Sequence, residues 1–449
     1  MKQERLFPVP RIILAGTHSG CGKTTIARGL MAAFRKRGLE VQPFKVGPDF
    51  IDPGHHSAIC GRTSRNLDPF MMGEEGVIDT FVRTAAGADI AIVEGVMGMF
   101  DGLDGTGISS TAHVARVLGA PVILVADVRG MSRSVHALVR GYAGFDPEVS
   151  LSGVIFNRVG SDRHRSLVGR EQSSPVLGFI PKDPGLSVES RHLGLKMAFE
   201  TGNDPADTGV IGDSCDLDRI MEIATGAAPL PAVASRETAE RQKAVIGVAF
   251  DPAFCFYYQD NLDRLRSSGA TLSFFSPLSD RLIGADAFYL GGGYPELHGG
   301  ELEDSACRLP LKAAADQGVP IFAECGGMMF LSESITTGEE EYSMAGILPA
   351  ASVMTGKIQA LGYSLGRWGS GVRIAAPGLE IRGHEFHYSY LGPSGDARYA
   401  IDLTRGKGIA GGKDGLFCHE AVGTYTHSYF SDDFARSFVK AAACFRDRS

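Results

Sequence analysis

Ala15–Leu30 reads AGTHSGCGKTTIARGL, a glycine-rich turn set between two apolar patterns. The run that enters it, RIILAG, is β-branched like a buried strand, and the run that leaves it, TTIARGLMAAFRKRG, has helical spacing. Glycines in a strand-to-helix turn let backbone N–H groups wrap phosphate oxygens, and the helix N-terminus adds a dipole that favours an anion. Lys23 can reach the outer phosphates of a nucleotide, and the Thr24 hydroxyl can ligate Mg2+. Gly16, Thr17, Gly20, Gly22, Lys23, Thr24 and Thr25 are therefore the expected ATP-binding set. Five residues separate Gly16 from Gly22, one more than in the common phosphate loop.

Working outward, DIAIVEG, PVILVAD and SGVIFN read as further buried strands, with STAHVARVLG as a helix between two of them. This alternation predicts an α/β fold, a parallel sheet with helices on both faces. Ligands of such sheets bind beyond the strand C-termini, where Glu94 and Asp127 stand. Phosphoryl transfer needs carboxylates near the metal. FKVGPDFIDPGHH (Phe44–His56) adds Lys45, Asp49 and Asp52, read here as a rigid loop after another strand. Asn157 closes SGVIFN, and its amide suits a nucleobase edge.

From about Phe199 the texture becomes rich in Gly, Ala, Pro and acidic residues. This places a first domain over 1–200 and a linker over 201–243, with one short helix near Leu217–Thr225. KAVIGVAFD then opens a second α/β domain over 244–440. In it, PIFAECGGMMFL (Pro320–Leu331) breaks from a strand into a helix at Cys325. A nucleophile at such an elbow is exposed, with the next backbone N–H aimed at the point of attack. A helix dipole lowers a thiol pKa, so a thiolate is expected. Gly326 N–H, with Gly292 and Gly293 of YLGGGYPE, can form an oxyanion hole. A base is needed, and His298, His384, His387, His419 and His427 are available. His427, late in the chain in GTYTHSYF, ranks first by its position.

With 449 residues, two domains are expected. A net charge of -8 argues against a nucleic acid as partner. No apolar run is long enough to span a membrane. The eight cysteines are scattered without a Cys-x-x-Cys pair, which points away from zinc and disulfides and toward the cytoplasm.

GTHSGCGKTT, KVGPDFIDP, NLDPFM, VEGVMGMFDG, SRHLGLKMA, GGGYPELH, AECGGMMFL, GHEFHYS and GTYTHSYF occur in this order. Together they resemble the cobyrinate a,c-diamide synthase family. The resemblance implies an N-terminal P-loop module of the dethiobiotin-synthetase branch, whose phosphate loop carries the same extra residue. It implies a C-terminal class I glutamine amidotransferase module. Lys23, Thr24, Asp49, Asp52 and Glu94 then fall on the synthetase site, with Lys45 beside them and Thr24, Asp49 and Glu94 toward Mg2+. Cys325 and His427 become the glutaminase pair. The implied substrates are ATP, glutamine and a tetrapyrrole of the corrinoid class, and a homodimer is compatible with it. A nickel-sirohydrochlorin diamide synthase is the rival with the same chemistry. Class I glutaminases usually place Glu two residues after the histidine; here Tyr429 stands there, as the resembled family also lacks that Glu. SRHLGL, with Arg191 and His192, and the FIDPGHH segment are the expected ring-carboxylate contacts.

Overall fold

The computed structural model describes residues 6–171, 174–186, 190–191, 194–195, 208–231 and 244–448. The chain divides into two compact units, Met1–Ala234 and Ser235–Ser449. The first is built on β1 (Arg11–Gly16), β2 (Val41–Val46), β3 (Arg65–Leu67), β4 (Ile90–Glu94), β5 (Val122–Asp127), β6 (Leu151–Val159) and β7 (Val176–Pro181). They lie in the order β3-β2-β4-β1-β5-β6-β7, every neighbouring pair parallel. Alternate residues of one strand enter separate cores: Ile13 packs with Phe44, Phe81 and Leu124, whereas Ile12 and Leu14 pack with Ile26 and Phe34. Burial on both faces is why these strands read as continuous apolar runs.

Helix α1 (Lys23–Lys36) follows the glycine-rich turn. Helix α2 (Ile51–Cys60) corrects the expected FIDPGHH loop. Asp49 starts it, its Oδ1 accepting from the backbone N–H groups of Ile51 at 2.9 Å and Asp52 at 3.1 Å. Pro53 is tolerated because the first-turn N–H groups have no intrahelical acceptor. NLDPFM is likewise a helix start: Asp68 caps Pro69–Ala85, accepting from Phe70 N–H at 2.8 Å and Met71 N–H at 3.1 Å.

Part of the expected linker belongs to the first unit. Thr208–Ser214 and Leu217–Thr225 are helices, and Ile211, Leu217, Ile220 and Ala224 join the core beside Leu30 and Phe34. Leu230–Pro231 pairs antiparallel with Leu6–Phe7. Residues 201–207 and 232–243 lie outside the described set, as does His192.

The second unit carries a ten-stranded sheet. β8 (Val245–Ala249), β9 (Thr271–Phe275), β10 (Ala287–Leu290), β11 (Ile321–Glu324) and β16 (Ala421–Thr424) form its parallel half, in the order β9-β8-β10-β11-β16. The antiparallel half continues with β15 (Lys413–Cys418), β14 (Tyr399–Arg405), β12 (Ala360–Trp368), β13 (Glu380–His387) and β17 (His427–Tyr429). Only Tyr425 and Thr426 join β16 to β17, although the two strands stand fifth and tenth in the sheet. A flat sheet would set them roughly 24 Å apart. Two linking residues span only about 11 Å, so the sheet curls to bring its last strand back beside its middle.

Candidate active sites

In the first unit, β1 delivers the chain into the phosphate loop. Gly22 precedes α1 at φ +101°, and a Cβ there would lie 2.1 Å from Asn157 Nδ2. Only glycine fits that conformation and that approach. Asn157 donates to the Cys21 carbonyl at 2.8 Å and accepts from Arg158 N–H at 2.8 Å, so both ends of its amide are engaged within the chain. Thr17 N–H is held by the Val125 carbonyl, and Thr25 Oγ1 donates to the Leu186 carbonyl at 3.3 Å. Gly16 packs on the loop, where an added Cβ would meet Cys21 Sγ and Lys23 Nζ, and Gly20 takes φ +78°. The Lys23 ammonium, buried, donates to the Met97 and His18 carbonyls. Burial pushes its pKa down.

Beyond the loop, the start of α1, β2, β4 and α2 converge. Thr24 Oγ1 donates to Glu94 Oε1 at 2.6 Å. Lys45 Nζ lies 2.8 Å from the same oxygen, 2.6 Å from Asp52 Oδ2 and 3.7 Å from Asp49 Oδ2. His56 Nε2 meets Glu94 Oε2 at 2.8 Å. Glu94 and His56 are fully buried. Burial alone would raise the Glu94 carboxyl, but the Lys45 ammonium and the His56 hydrogen bond hold it well below the carboxylate range. Burial alone would lower Lys45, and Asp52, Glu94 and Asp49 reverse that. Asp52 is pushed up, first by burial and then by the Glu94 charge. Among the described residues no three His, Cys, Asp or Glu side chains are arranged to hold a metal by themselves. Lys45 occupies the space among the carboxylates. Yet Asp52 Oδ1 is buried without a hydrogen-bond partner, on a carboxylate whose other oxygen lies 3.5 Å from Thr24 Oγ1. That spare acceptor fits Mg2+, which takes one or two protein oxygens and completes its shell with phosphates and water. Asp49 has less to offer, since its Oδ1 already starts α2.

In the second unit, β11 ends just before Cys325, whose backbone stands at φ +44°, ψ −101°. That region is sparsely populated for a side-chain-bearing residue and marks stored strain. The helix Gly326–Leu331 follows at once, and Cys325 N–H is held by the Thr424 carbonyl at 2.6 Å. The Gly291–Gly293 turn lies against His427 and against Gly326 and Gly327, the residues that follow Cys325. A Cβ on Gly292 would lie 2.3 Å from His427 Cε1, and one on Gly326 would lie 3.0 Å from the Gly293 nitrogen. The Gly291 carbonyl accepts from Gly327 N–H at 3.0 Å. His427 and the residues that follow Cys325 thus meet at the turn that carries Gly292 and Gly293.

The expected thiolate is a correction. Burial pushes the Cys325 thiol up to about 12, with the Glu296 charge adding to it. Burial also drives the His427 imidazolium well below its usual range, with His384 and His387 adding to it. The resting pair is neutral, because desolvation outweighs a helix of six residues.

Around this pair lie residues the sequence did not single out. Glu324, buried beside Cys325, accepts from Ser428 N–H at 2.8 Å, Ser428 Oγ–H at 2.7 Å and Tyr289 O–H at 2.8 Å. Burial raises it to about 7 against those bonds. Asp414, also buried, accepts from Tyr425 and Thr426 N–H, both at 3.0 Å. The His427 ring stacks on His384, centroids 5.1 Å apart, and His384 Nδ1 meets Tyr258 Oη at 2.9 Å. Tyr429 reaches away, donating to Asp260 at 2.8 Å and accepting from Arg264 at 3.2 Å. His387 stacks on Tyr425 at 3.7 Å. His298 and His419 pair with carboxylates elsewhere, Glu301 and Asp316. The glutamate beside the cysteine was the visible clue to Glu324; nothing local pointed to Asp414.

A phosphate-loop α/β unit followed by a cysteine-elbow α/β unit defines a nucleotide-binding glutamine amidotransferase. Residues 12–195 match the CobQ/CobB/MinD/ParA nucleotide binding domain, and residues 245–434 match the CobB/CobQ-like glutamine amidotransferase domain. Cobyrinate a,c-diamide synthases are similar over nearly the full length. That of Archaeoglobus fulgidus is 44% identical over 98% of this chain and 99% of its own. That of Methanosarcina barkeri is 41% identical over 98% and 97%. That of Listeria monocytogenes serotype 4b is 40% identical over 94% and 96%. The chain belongs to the cobyrinate a,c-diamide synthase family of glutamine-dependent ligases. Among the described residues no helix is long and apolar enough to cross a membrane.

Proposed function

We propose that the chain amidates the a and c side-chain carboxylates of cobyrinate, using ATP and ammonia drawn from glutamine, in cobalamin biosynthesis. The observation that carries this reading is the full-length likeness to cobyrinate a,c-diamide synthases. The relatives quoted are named for cobyrinate, which disfavours nickel-sirohydrochlorin as the substrate.

In the glutaminase site, His427 takes the Cys325 proton as Sγ attacks the glutamine amide carbon. Because the resting pair is neutral, the thiolate forms within the attack. The backbone N–H groups of Gly293 and Gly326 receive the developing oxyanion. His427 returns the proton to the departing nitrogen, so ammonia leaves and a thioester remains. Water, deprotonated by His427, then opens the thioester to glutamate and the free thiol.

In the synthetase site, Gly16, Thr17, Gly20, Gly22, Lys23, Thr24 and Thr25 cradle the ATP phosphates, with Asn157 bracing the loop. Thr24, Asp52 and Glu94 are the residues that would hold Mg2+, with Asp49 at the margin; bound there, the ion neutralises phosphate charge. A ring carboxylate oxygen attacks the γ-phosphorus, ADP departs, and an acyl phosphate forms. Ammonia then displaces phosphate at the carbonyl carbon, giving the amide with loss of a proton. Lys23 and Lys45 offset charge on the transferring group. Arg191 and the FIDPGHH segment are the ring-carboxylate contacts expected in this reading. The site serves a cytoplasmic enzyme.

The test gives the purified chain glutamine and Mg-ATP with cobyrinate, and separately with nickel-sirohydrochlorin, and reads products by mass. Two amides on cobyrinate are expected. Amidation of the nickel ring alone overturns the assignment.

A further inference from the structure

We propose that Glu324 and Asp414 act together as positioning residues for His427, holding it by the backbone of its neighbours. This inference rests on the glutaminase reading above. It answers a need that reading leaves open: Tyr429 occupies the place where a carboxylate would orient the histidine, and its hydroxyl is committed to Asp260 and Arg264.

The topology creates the opening for such a device. β16 is held by β11, while β17 is held by β13, with His427 opposite His384. Between them the chain crosses from one partner strand to another. Two buried carboxylates take up the N–H groups there. Asp414 receives residues 425 and 426, just before His427, and Glu324 receives residue 428, just after it. Asp414 also receives Gly415 N–H at 2.9 Å, and Glu324 is fastened at its far oxygen by Tyr289. Glu324 is only 2% exposed and Asp414 0%. Burying a carboxylate is costly, and hydrogen bonds that favour its charged form are strong. Two such groups spent on the residues flanking one histidine set the imidazole position more tightly than strand pairing on one side could. Glu324 precedes Cys325 in the chain, so a single side chain ties the nucleophile's strand to the base's strand. A base displaced by about 1 Å costs roughly 100-fold in rate.

The test uses the full-length chain and steady-state glutamine hydrolysis. Glu324→Ala is expected to lower kcat about 100-fold while KM for glutamine moves less than about threefold. Glu324→Gln keeps an acceptor for Ser428 and is expected to restore at least about tenfold of that loss. Asp414→Asn, which loses one of two acceptors, is expected to lower kcat about tenfold with the same unchanged KM. If Glu324→Ala does not fold, Asp414→Asn and Glu324→Gln still read the split. Wild-type kcat in Glu324→Ala, or in Asp414→Asn when the alanine variant is insoluble, overturns the proposal. A KM that rises in step with the fall in kcat also overturns it, since that marks a collapsed pocket. A wild-type chain that hydrolyses no glutamine overturns the glutaminase reading itself, so the two failures are distinguishable.

Discussion

The two sites solve the burial of ionisable groups in opposite ways. Around Glu94, charge is kept and matched: an ammonium lies within hydrogen-bonding distance of two carboxylates, and a histidine completes the fourth side. Around Cys325, charge is suppressed: thiol and imidazole are both pushed toward their neutral forms. The difference follows from the chemistry proposed for each. A phosphoryl-transfer site meets a polyanion and gains from standing charges. A cysteine–histidine pair needs charge only during attack, and a neutral resting pair makes no idle thiolate.

The sharpest break in the comparison is expected from Cys325→Ala. Glutamine hydrolysis should fall by at least about 10³-fold, while ATP-dependent amidation driven by added ammonia stays within about twofold of wild type. Assays with each nitrogen source decide it, and loss of both activities would contradict separate sites. The reciprocal substitution is Lys45→Met. Removing the ammonium leaves buried carboxylates unpaired, so amidation should fall roughly 100-fold or more and the first unit should lose about 3 kcal/mol. Glutamine hydrolysis should persist. Denaturant unfolding alongside both assays checks this.

The pH response sharpens the contrast further. A carboxyl raised from 4.5 to about 7, as Glu324 is, adds stability that is fully present below pH 4.5 and is lost as pH rises through 7. The stability difference between wild type and Glu324→Gln should therefore change by on the order of 3 kcal/mol between pH 4 and pH 8. Glu94 is held low, so its contribution has the other sign: present above the ordinary carboxylate pKa and lost as the pH falls below it. Hydrogen exchange resolved along the chain can read both. The smallest effect is outside either site. Asp68→Ala removes a helix cap and should cost about 1 kcal/mol with both activities intact.

How far the sequence could be read tracks how local the cause is. RIILAG is β1 over the same residues, because a strand buried on both faces announces itself in six consecutive side chains. The Leu217–Thr225 helix is equally legible from its apolar spacing. FIDPGHH misleads because two prolines and two glycines nearby outweigh, on paper, a helix that Asp49 starts and Pro53 permits. The antiparallel half of the second sheet was scarcely visible, since its strands alternate weakly and pair across long separations. The phosphate loop and the cysteine elbow are contiguous motifs and stood out. His56 and Asp414 did not, because their roles exist only once distant strands are adjacent. The low-pKa thiol was the wrong expectation for a related reason: dipole and sequence are local, whereas desolvation depends on everything packed around the residue.

The curl of the ten-stranded sheet has a consequence for how the molecule is made. Glu324 and Ser428 meet across 104 residues, and β17 lies almost at the end of the chain. Contacts of such separation form late and slowly. During synthesis Cys325 emerges long before His427, so the proposed pair cannot assemble until β17 has been made and the sheet has closed.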